Sequence, residues 1–195
     1  GKGGPCYRKE PGVKEDSQTE TYVALKVMID NWRWAGVPFY LRTGKRLQEK
    51  VTQVVITYKD NPHSLFPETD GEANNRLVIN LQPNEGIQLE MVSKKHSLKE
   101  RLGLEKRLLN LDFFDSSGDS RIPDAYERLF LEVIKGDQWL FVSREEIEAS
   151  WNWCDTLLDA WADKNIGTKG YSAGSWGPAK AEILIENDGR SWYEG

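Results

Sequence analysis

Cysteine, histidine and long apolar runs are what these 195 residues have least of. Two cysteines, Cys6 and Cys154, stand far apart, so neither a disulfide scaffold nor a cysteine-based zinc site is readable, and both are expected as free thiols. The two histidines, His63 and His96, fall in polar, loop-like stretches without a partner at metal-ligand spacing. Solvated imidazoles are expected there, and no metal site. No apolar run approaches the roughly 20 residues of a membrane span. The start, Gly1-Lys2-Gly3-Gly4-Pro5, lacks the basic-then-apolar layout of a signal peptide. A cytoplasmic address without a membrane partner is the expectation. An excess of basic charge is also missing: 26 Lys and Arg against 31 Asp and Glu leave a net charge of -5, which argues against nucleic acid as the main partner.

The signatures of several enzyme classes are absent too. There is no G-x-G-x-x-G after a strand, no G-x-x-x-x-G-K-[ST] and no G-x-S-x-G elbow. Gly167, Gly170 and Gly174 have the wrong spacing and no preceding βα unit, so they read as loop. What remains is an ordinary globular composition, 38% apolar and 29% charged, in a chain long enough to enclose a core. It opens on a loop-like segment that runs polar and charged to Thr19, as a piece of something longer would.

Period-two alternation dominates the first two thirds. In residues 22–30, Val23, Leu25, Val27 and Ile29 share one face of a strand. Residues 38–42 continue as a short apolar run, and the β-branched stretch 51–58 is again extended. Residues 75–82 and 87–92, joined by the turn Pro83-Asn84-Glu85-Gly86, read as a hairpin. Leu109, Leu111 and Phe113 mark one more strand. Connections this short do not cross over a sheet, so its pairing is expected to be mostly antiparallel.

The last third changes period. Asp124 and Glu127 have capping-box spacing, Tyr126, Leu129, Phe130, Val133 and Ile134 form a helical stripe, and Gly136 supplies the stop. Ser143 with Glu146 repeats the cap, opening a helix with the stripe Ile147, Trp151, Cys154, Leu158 and Trp161. After Lys164, through Gly177-Pro178, the Gly- and Ser-rich sequence reads as a tail over the surface. Strands followed by helices indicate an α+β fold. No linker is evident; 1–195 reads as one domain, the polar loop 59–74 being its weakest point.

Two features bear on function. Arg42, Lys45, Arg46 and Lys50 cluster on a loop between two predicted strands, with Gly44 permitting a close backbone approach. The ammonium groups of Lys45 and Lys50 suit an anionic ligand with hydroxyl groups, and a solvated basic turn explains the same cluster. The eight tryptophans include Trp32, Trp34, Trp151, Trp153 and Trp161. Such rings serve carbohydrate stacking or packing, and helical spacing favours packing for Trp151 and Trp161.

The run Asn31-Trp32-Arg33-Trp34-Ala35-Gly36-Val37-Pro38-Phe39-Tyr40-Leu41-Arg42-Thr43-Gly44-Lys45-Arg46-Leu47 resembles the glucose-6-phosphate dehydrogenase family of bacteria. Further blocks agree in family order: Leu81-Gln82-Pro83-Asn84-Glu85-Gly86, Pro123-Asp124-Ala125-Tyr126-Glu127-Arg128-Leu129, Ala173-Gly174-Ser175-Trp176-Gly177-Pro178 and Asp188-Gly189-Arg190-Ser191-Trp192. The resemblance implies the later part of that family's β+α domain, with a large, mostly antiparallel sheet and helices packed on one side of it. It also implies an enzyme that oxidises glucose 6-phosphate at C1, with NADP as hydride acceptor and 6-phosphogluconolactone as product.

In the family, the coenzyme-binding Rossmann domain, the catalytic histidine with its carboxylate partner, and the main phosphate-binding motif all lie upstream of this region. The resemblance therefore implies no catalytic residue here, and a chain that is inactive alone. It carries over three substrate contacts: Lys45, Lys50 and Gln82. A loop bending at Gly44 is expected to turn both lysines toward one concave pocket, where they position C1 rather than transfer its proton. The resemblance also implies a homo-oligomer, dimer or tetramer, built through the β-sheet. Animal members hold an additional structural NADP. Here Arg42 is retained, but Val51, Val55, Asn80 and Trp176 stand where basic residues are expected, so no coenzyme is expected on this chain. A stand-alone oligomerisation or interaction module is the alternative from another class.

Overall fold

The computed structural model describes residues 6–59, 74–94, 104–113 and 125–194. A 3-10 turn, Tyr7–Lys9, precedes strands β1 (Tyr22–Met28) and β2 (Pro38–Gly44). These pair antiparallel from Tyr22 opposite Gly44 to Met28 opposite Pro38. Strands β3 (Thr52–Thr57), β4 (Arg76–Gln82), β5 (Gly86–Lys94) and β6 (Leu104–Asp112) follow, and then helices α1 (Ala125–Lys135), α2 (Arg144–Asp163) and α3 (Ala179–Glu186). The fold is α+β, as expected, and every strand pair is antiparallel. Among the described residues the strands form a two-stranded sheet, β1-β2, and a four-stranded meander, β3-β4-β5-β6. The break between the two falls at the basic loop, whose residues 45–51 belong to no strand.

Alternation in sequence becomes two-sidedness in the meander. Val54, Ile79, Ile87 and Leu111 lie opposite one another across all four strands, and so do Ile56, Leu77, Leu89 and Leu109. Direct partners share a face, so eight aliphatic side chains cover one side of this sheet. At its outer strands that side is open, with Leu109 and Leu111 both 57% exposed. The opposite side carries Val78, which is 1% exposed.

The helix stop and cap are as read. Gly136 ends α1 in the left-handed region at φ 72°. Ser143 caps α2, its hydroxyl accepting from the Glu146 amide while the Glu146 carboxylate accepts from the Ser143 amide. Those hydrogen bonds hold the Glu146 carboxyl below its ordinary pKa. Asp124, His63, His96 and most of the 59–74 loop lie outside the described residues. The stripes themselves are less covered than expected: Phe130 on α1 is 66% exposed and Trp151 on α2 is 63% exposed.

Just past the Gly- and Ser-rich stretch, which ends at Gly177-Pro178, stands a helix that the sequence reading does not include. Pro178 opens α3, where its missing N–H costs nothing. Helix α3 then lies against β1, burying Ala181 and Ile185. The Trp192 indole N–H closes the unit by donating to the Ala181 carbonyl at 2.9 Å. Two glycines from separate parts of the chain make room for one ring at this junction. A Cβ on Gly44 would stand 2.6 Å from Tyr22 Cδ2, and one on Gly177 would stand 2.4 Å from Tyr22 Cε2.

Candidate functional site

Lys45 follows β2 directly and Lys50 precedes β3, so the loop between them joins the two sheets. Gln82 ends β4 and pairs with Thr52, two residues beyond Lys50. Register thus places Lys50 and Gln82 at one end of the meander, while Lys45 belongs to the end of the β1-β2 hairpin. All three side chains are exposed. Among the described residues neither Lys45 nor Lys50 forms an ion pair or hydrogen bond through its ammonium group.

The loop does not bend at Gly44, which continues β2. It turns at Arg46, which takes φ 52°. The left-handed region is costly for a side chain such as arginine's, and nearby contacts hold the turn. Lys45 donates its amide to the Thr21 carbonyl at 2.8 Å, Arg46 accepts at its carbonyl from the Gly174 amide at 2.9 Å, and the Gln48 amide donates to the Ser175 carbonyl at 3.1 Å. The Arg46 guanidinium reaches Glu10 Oε1 at 2.7 Å. The Gly- and Ser-rich stretch thus forms a second wall for the basic loop, a role that its composition alone does not announce.

Arg42 serves differently from its neighbours. Its guanidinium lies 4.8 Å from the Trp176 ring centroid and 4.7 Å from that of Trp192. Its Nη2 donates to the Tyr193 carbonyl at 3.0 Å, and its Nη1 lies 3.9 Å from Glu182 Oε1, in side-chain surroundings that leave it 11% exposed. Burial raises the Glu182 pKa, against the opposing pull of Arg42. The Arg42 guanidinium is thus committed to the two indoles and the Tyr193 carbonyl, while Val51, Val55 and Asn80 carry no charge.

Tyr193 ties the hairpin to the meander. Its carbonyl holds Arg42 of β2, and its hydroxyl donates to Glu90 Oε1 of β5 at 3.2 Å. Burial raises the pKa of this tyrosine, and the neighbouring Glu90 adds to the rise. Beside it, Asp188 Oδ2 accepts from Lys26 at 2.6 Å and from the Tyr40 hydroxyl. A depression of about 640 Å³ lies elsewhere, walled by α1 and Trp139. It holds none of the expected contacts.

Known proteins resolve what such a loop belongs to. The family described as "Glucose-6-phosphate dehydrogenase, C-terminal domain" matches residues 1–193. The chain belongs to that family. A glucose-6-phosphate 1-dehydrogenase of Dickeya dadantii (strain 3937) is 45% identical over 195 residues, all of this chain and 40% of that protein. The Rhizobium meliloti (strain 1021) enzyme of the same name is 48% identical over 180 residues, 91% of this chain and 36% of its own. Among solved structures, a glucose-6-phosphate dehydrogenase in complex with its substrate glucose-6-phosphate is similar with a TM-score of 0.83 and 30% identity, covering 97% of this chain and 38% of that one. The Mycobacterium avium glucose-6-phosphate 1-dehydrogenase gives a TM-score of 0.76 at 34% identity, over 96% and 38%. The chain therefore spans about 40% of the length of the curated relatives it matches.

Proposed function

We propose that this chain is the substrate-side domain of a cytoplasmic glucose-6-phosphate dehydrogenase. In the complete protein, C1 of glucose 6-phosphate gives up a hydride to NADP and its hydroxyl proton to a base outside this chain, leaving 6-phosphogluconolactone. Lys45, Lys50 and Gln82 hold the sugar phosphate. The observation that carries this reading is the basic loop itself: its main chain is pinned by hydrogen bonds, while both lysines are exposed and their ammonium groups have no partner among the described residues. A pinned loop with free cations is prepared for an anionic, hydroxyl-bearing ligand, since ordering cost is met before binding. The chain is read as one domain that is inactive alone, because positioning groups do not replace a base and a coenzyme site.

Replacing Lys45 or Lys50 by alanine in the complete enzyme tests the reading. Each loss of a charge-assisted contact is expected to cost about 1.5–3 kcal/mol of binding, raising KM for glucose 6-phosphate roughly tenfold or more. Unchanged steady-state kinetics in both variants would return the loop to a solvated turn.

The open aliphatic side of the meander supports the further reading of a homo-oligomer, dimer or tetramer, assembled through the sheet. The alternative of an interaction module without catalysis shares that sheet. It offers no account of a braced loop whose exposed lysines have no partner among the described residues.

A further inference from the structure

We propose that Tyr171 is a positioning residue for substrate binding, acting through the main chain of Lys45; the proposal rests on the reading of Lys45 as a substrate contact. The Tyr171 hydroxyl lies 2.7 Å from the Lys45 carbonyl oxygen, 3.0 Å from the Thr21 carbonyl oxygen and 3.3 Å from Thr21 Oγ1. A hydroxyl has one proton to give, and the nearest acceptor is Lys45. The Lys45 amide meanwhile donates to the same Thr21 carbonyl at 2.8 Å. Both polar groups of the Lys45 backbone are thereby held at one point, where Thr21, Lys45 and Tyr171 meet.

This matters because of what Lys45 lacks. Its ammonium group swings on a flexible four-carbon stem and has no partner of its own among the described residues. The reach of that group is therefore set by where its Cα and Cβ are held. On the far side the next peptide turns through the left-handed Arg46, a conformation that relaxes unless its neighbours hold it. Tyr171 supplies the side-chain hydrogen bond to this backbone, and its own ring is located by Tyr22, with centroids 5.4 Å apart at 56°. Removing the hydroxyl leaves the ring contact in place and gives the Lys45 carbonyl to water. The fold then loses little, and the cost of ordering the loop passes to the substrate-binding step.

The test is a double-mutant cycle in the complete enzyme that carries this chain, with thermal melts to verify folding. Tyr171→Phe is expected to raise KM for glucose 6-phosphate by about 2- to 10-fold, the factor for one neutral hydrogen bond. Its kcat is expected to stay within about twofold and its KM for NADP to stay unchanged, the pattern of lost uniform binding. In a Lys45→Ala background the same change is expected to add nothing, since the group it positions is gone. A merely structural role would not show that dependence. If Lys45→Ala raises KM and Tyr171→Phe does not, or if the two effects add in full, the positioning role of Tyr171 is overturned while the substrate contact stands. If Lys45→Ala leaves KM unchanged, the reading of the contact falls and takes this proposal with it.

Discussion

Ile185 on α3 and Ile134 on α1 are the same side chain on an apolar helical stripe, yet one is 4% exposed and the other 82%. The difference comes from what each helix meets. Helix α3 lies on β1 and is closed by Trp192, which donates to the Ala181 carbonyl and packs edge-on against Tyr40 of β2 at 6.2 Å. The α1 stripe has no such cover within the described residues, and Phe130 and Val133 stand in solvent beside Ile134. Periodicity identifies the apolar face of a helix but carries no record of its partner. The short C-terminal helix, with its small stripe, is consequently the better packed of the two.

The pair can be broken apart by one substitution made twice. Ile185→Ala is expected to destabilise the chain by about 2–5 kcal/mol, since it removes buried methyls and leaves a cavity. Ile134→Ala is expected to stay within about 0.5 kcal/mol, since an exposed site loses no packing. Denaturant unfolding of the two variants beside the parent chain measures both. Equal costs would mean that something covers α1 in solution.

What was legible in the sequence divides along the same line. The strands are readable from alternation, as in β1 and β4, or from apolar and β-branched runs, as in β2 and β3, and the α2 cap because Ser143 and Glu146 carry both halves of a reciprocal hydrogen bond. Helix α3 is not legible in the same way: eight residues following a run of Gly, Ser and Pro offer too little period, and Pro178 at the start is the available signal. Helical spacing predicts packing for Trp151, and the ring is instead exposed. At the site, the cluster of cations was visible, but the turn at Arg46 and its bracing by 171–175 were not. Those contacts join residues more than a hundred positions apart, and no local pattern records them. Gly44 is a usable hint, since a glycine within a strand marks a close approach, but its meeting with Gly177 at one target, Tyr22, is a fact of three dimensions.

The two sheets differ in how they are covered. The hairpin is covered by α3 and the C-terminal segment, whereas the aliphatic face of the meander is open at Val54, Ile56, Leu109 and Leu111. Contiguous apolar surface of this kind favours association. Sedimentation velocity at micromolar concentration is expected to show the chain as a species larger than the monomer, and Leu109→Lys with Leu111→Lys is expected to shift it toward the monomer. A strict monomer in the parent chain would count against assembly through the sheet.

The cover over the hairpin also has an electrostatic component, and pH sharpens it. Hydrogen bonds from Lys26 and then Tyr40 lower the pKa of Asp188, and the bond to Asp188 raises that of Lys26. A depressed carboxyl stabilises the fold above its unfolded value of about 4, and that contribution is lost as pH falls through the folded value. A raised ammonium stabilises below about 10.4, and its contribution is lost as pH rises through the folded value. The melting temperature of Asp188→Asn is therefore expected to lie below that of the parent chain by a constant amount between the two limits. The gap closes at both ends, and it stays smaller than the Ile185→Ala effect because the pair is partly in solvent. A gap that persists into acid would assign Asp188 to packing rather than charge.

The smallest expected effect is a shift of zero, and it tests what fills the space between Trp176 and Trp192. A dinucleotide phosphate needs several cations or helix N-termini converging on its phosphates. Val51, Val55 and Asn80 supply no charge, and the Arg42 guanidinium is committed to two indoles and the Tyr193 carbonyl. Opening that arrangement to admit a ligand would forfeit both cation–π contacts and uncover α3, so binding would have to overcome the packing that holds the hairpin. NADP added to the isolated chain is expected to move its melting temperature by no more than about 1 °C, whereas a ligand at a hundred times its Kd stabilises a native state by about 2.7 kcal/mol and shifts it by several degrees. An NADP-dependent rise that Trp192→Ala abolishes would show that the C-terminal segment is a lid over a nucleotide site. No rise, with Arg42→Ala itself lowering the melting temperature, would show that the arginine and the two tryptophans together do the structural work at this position.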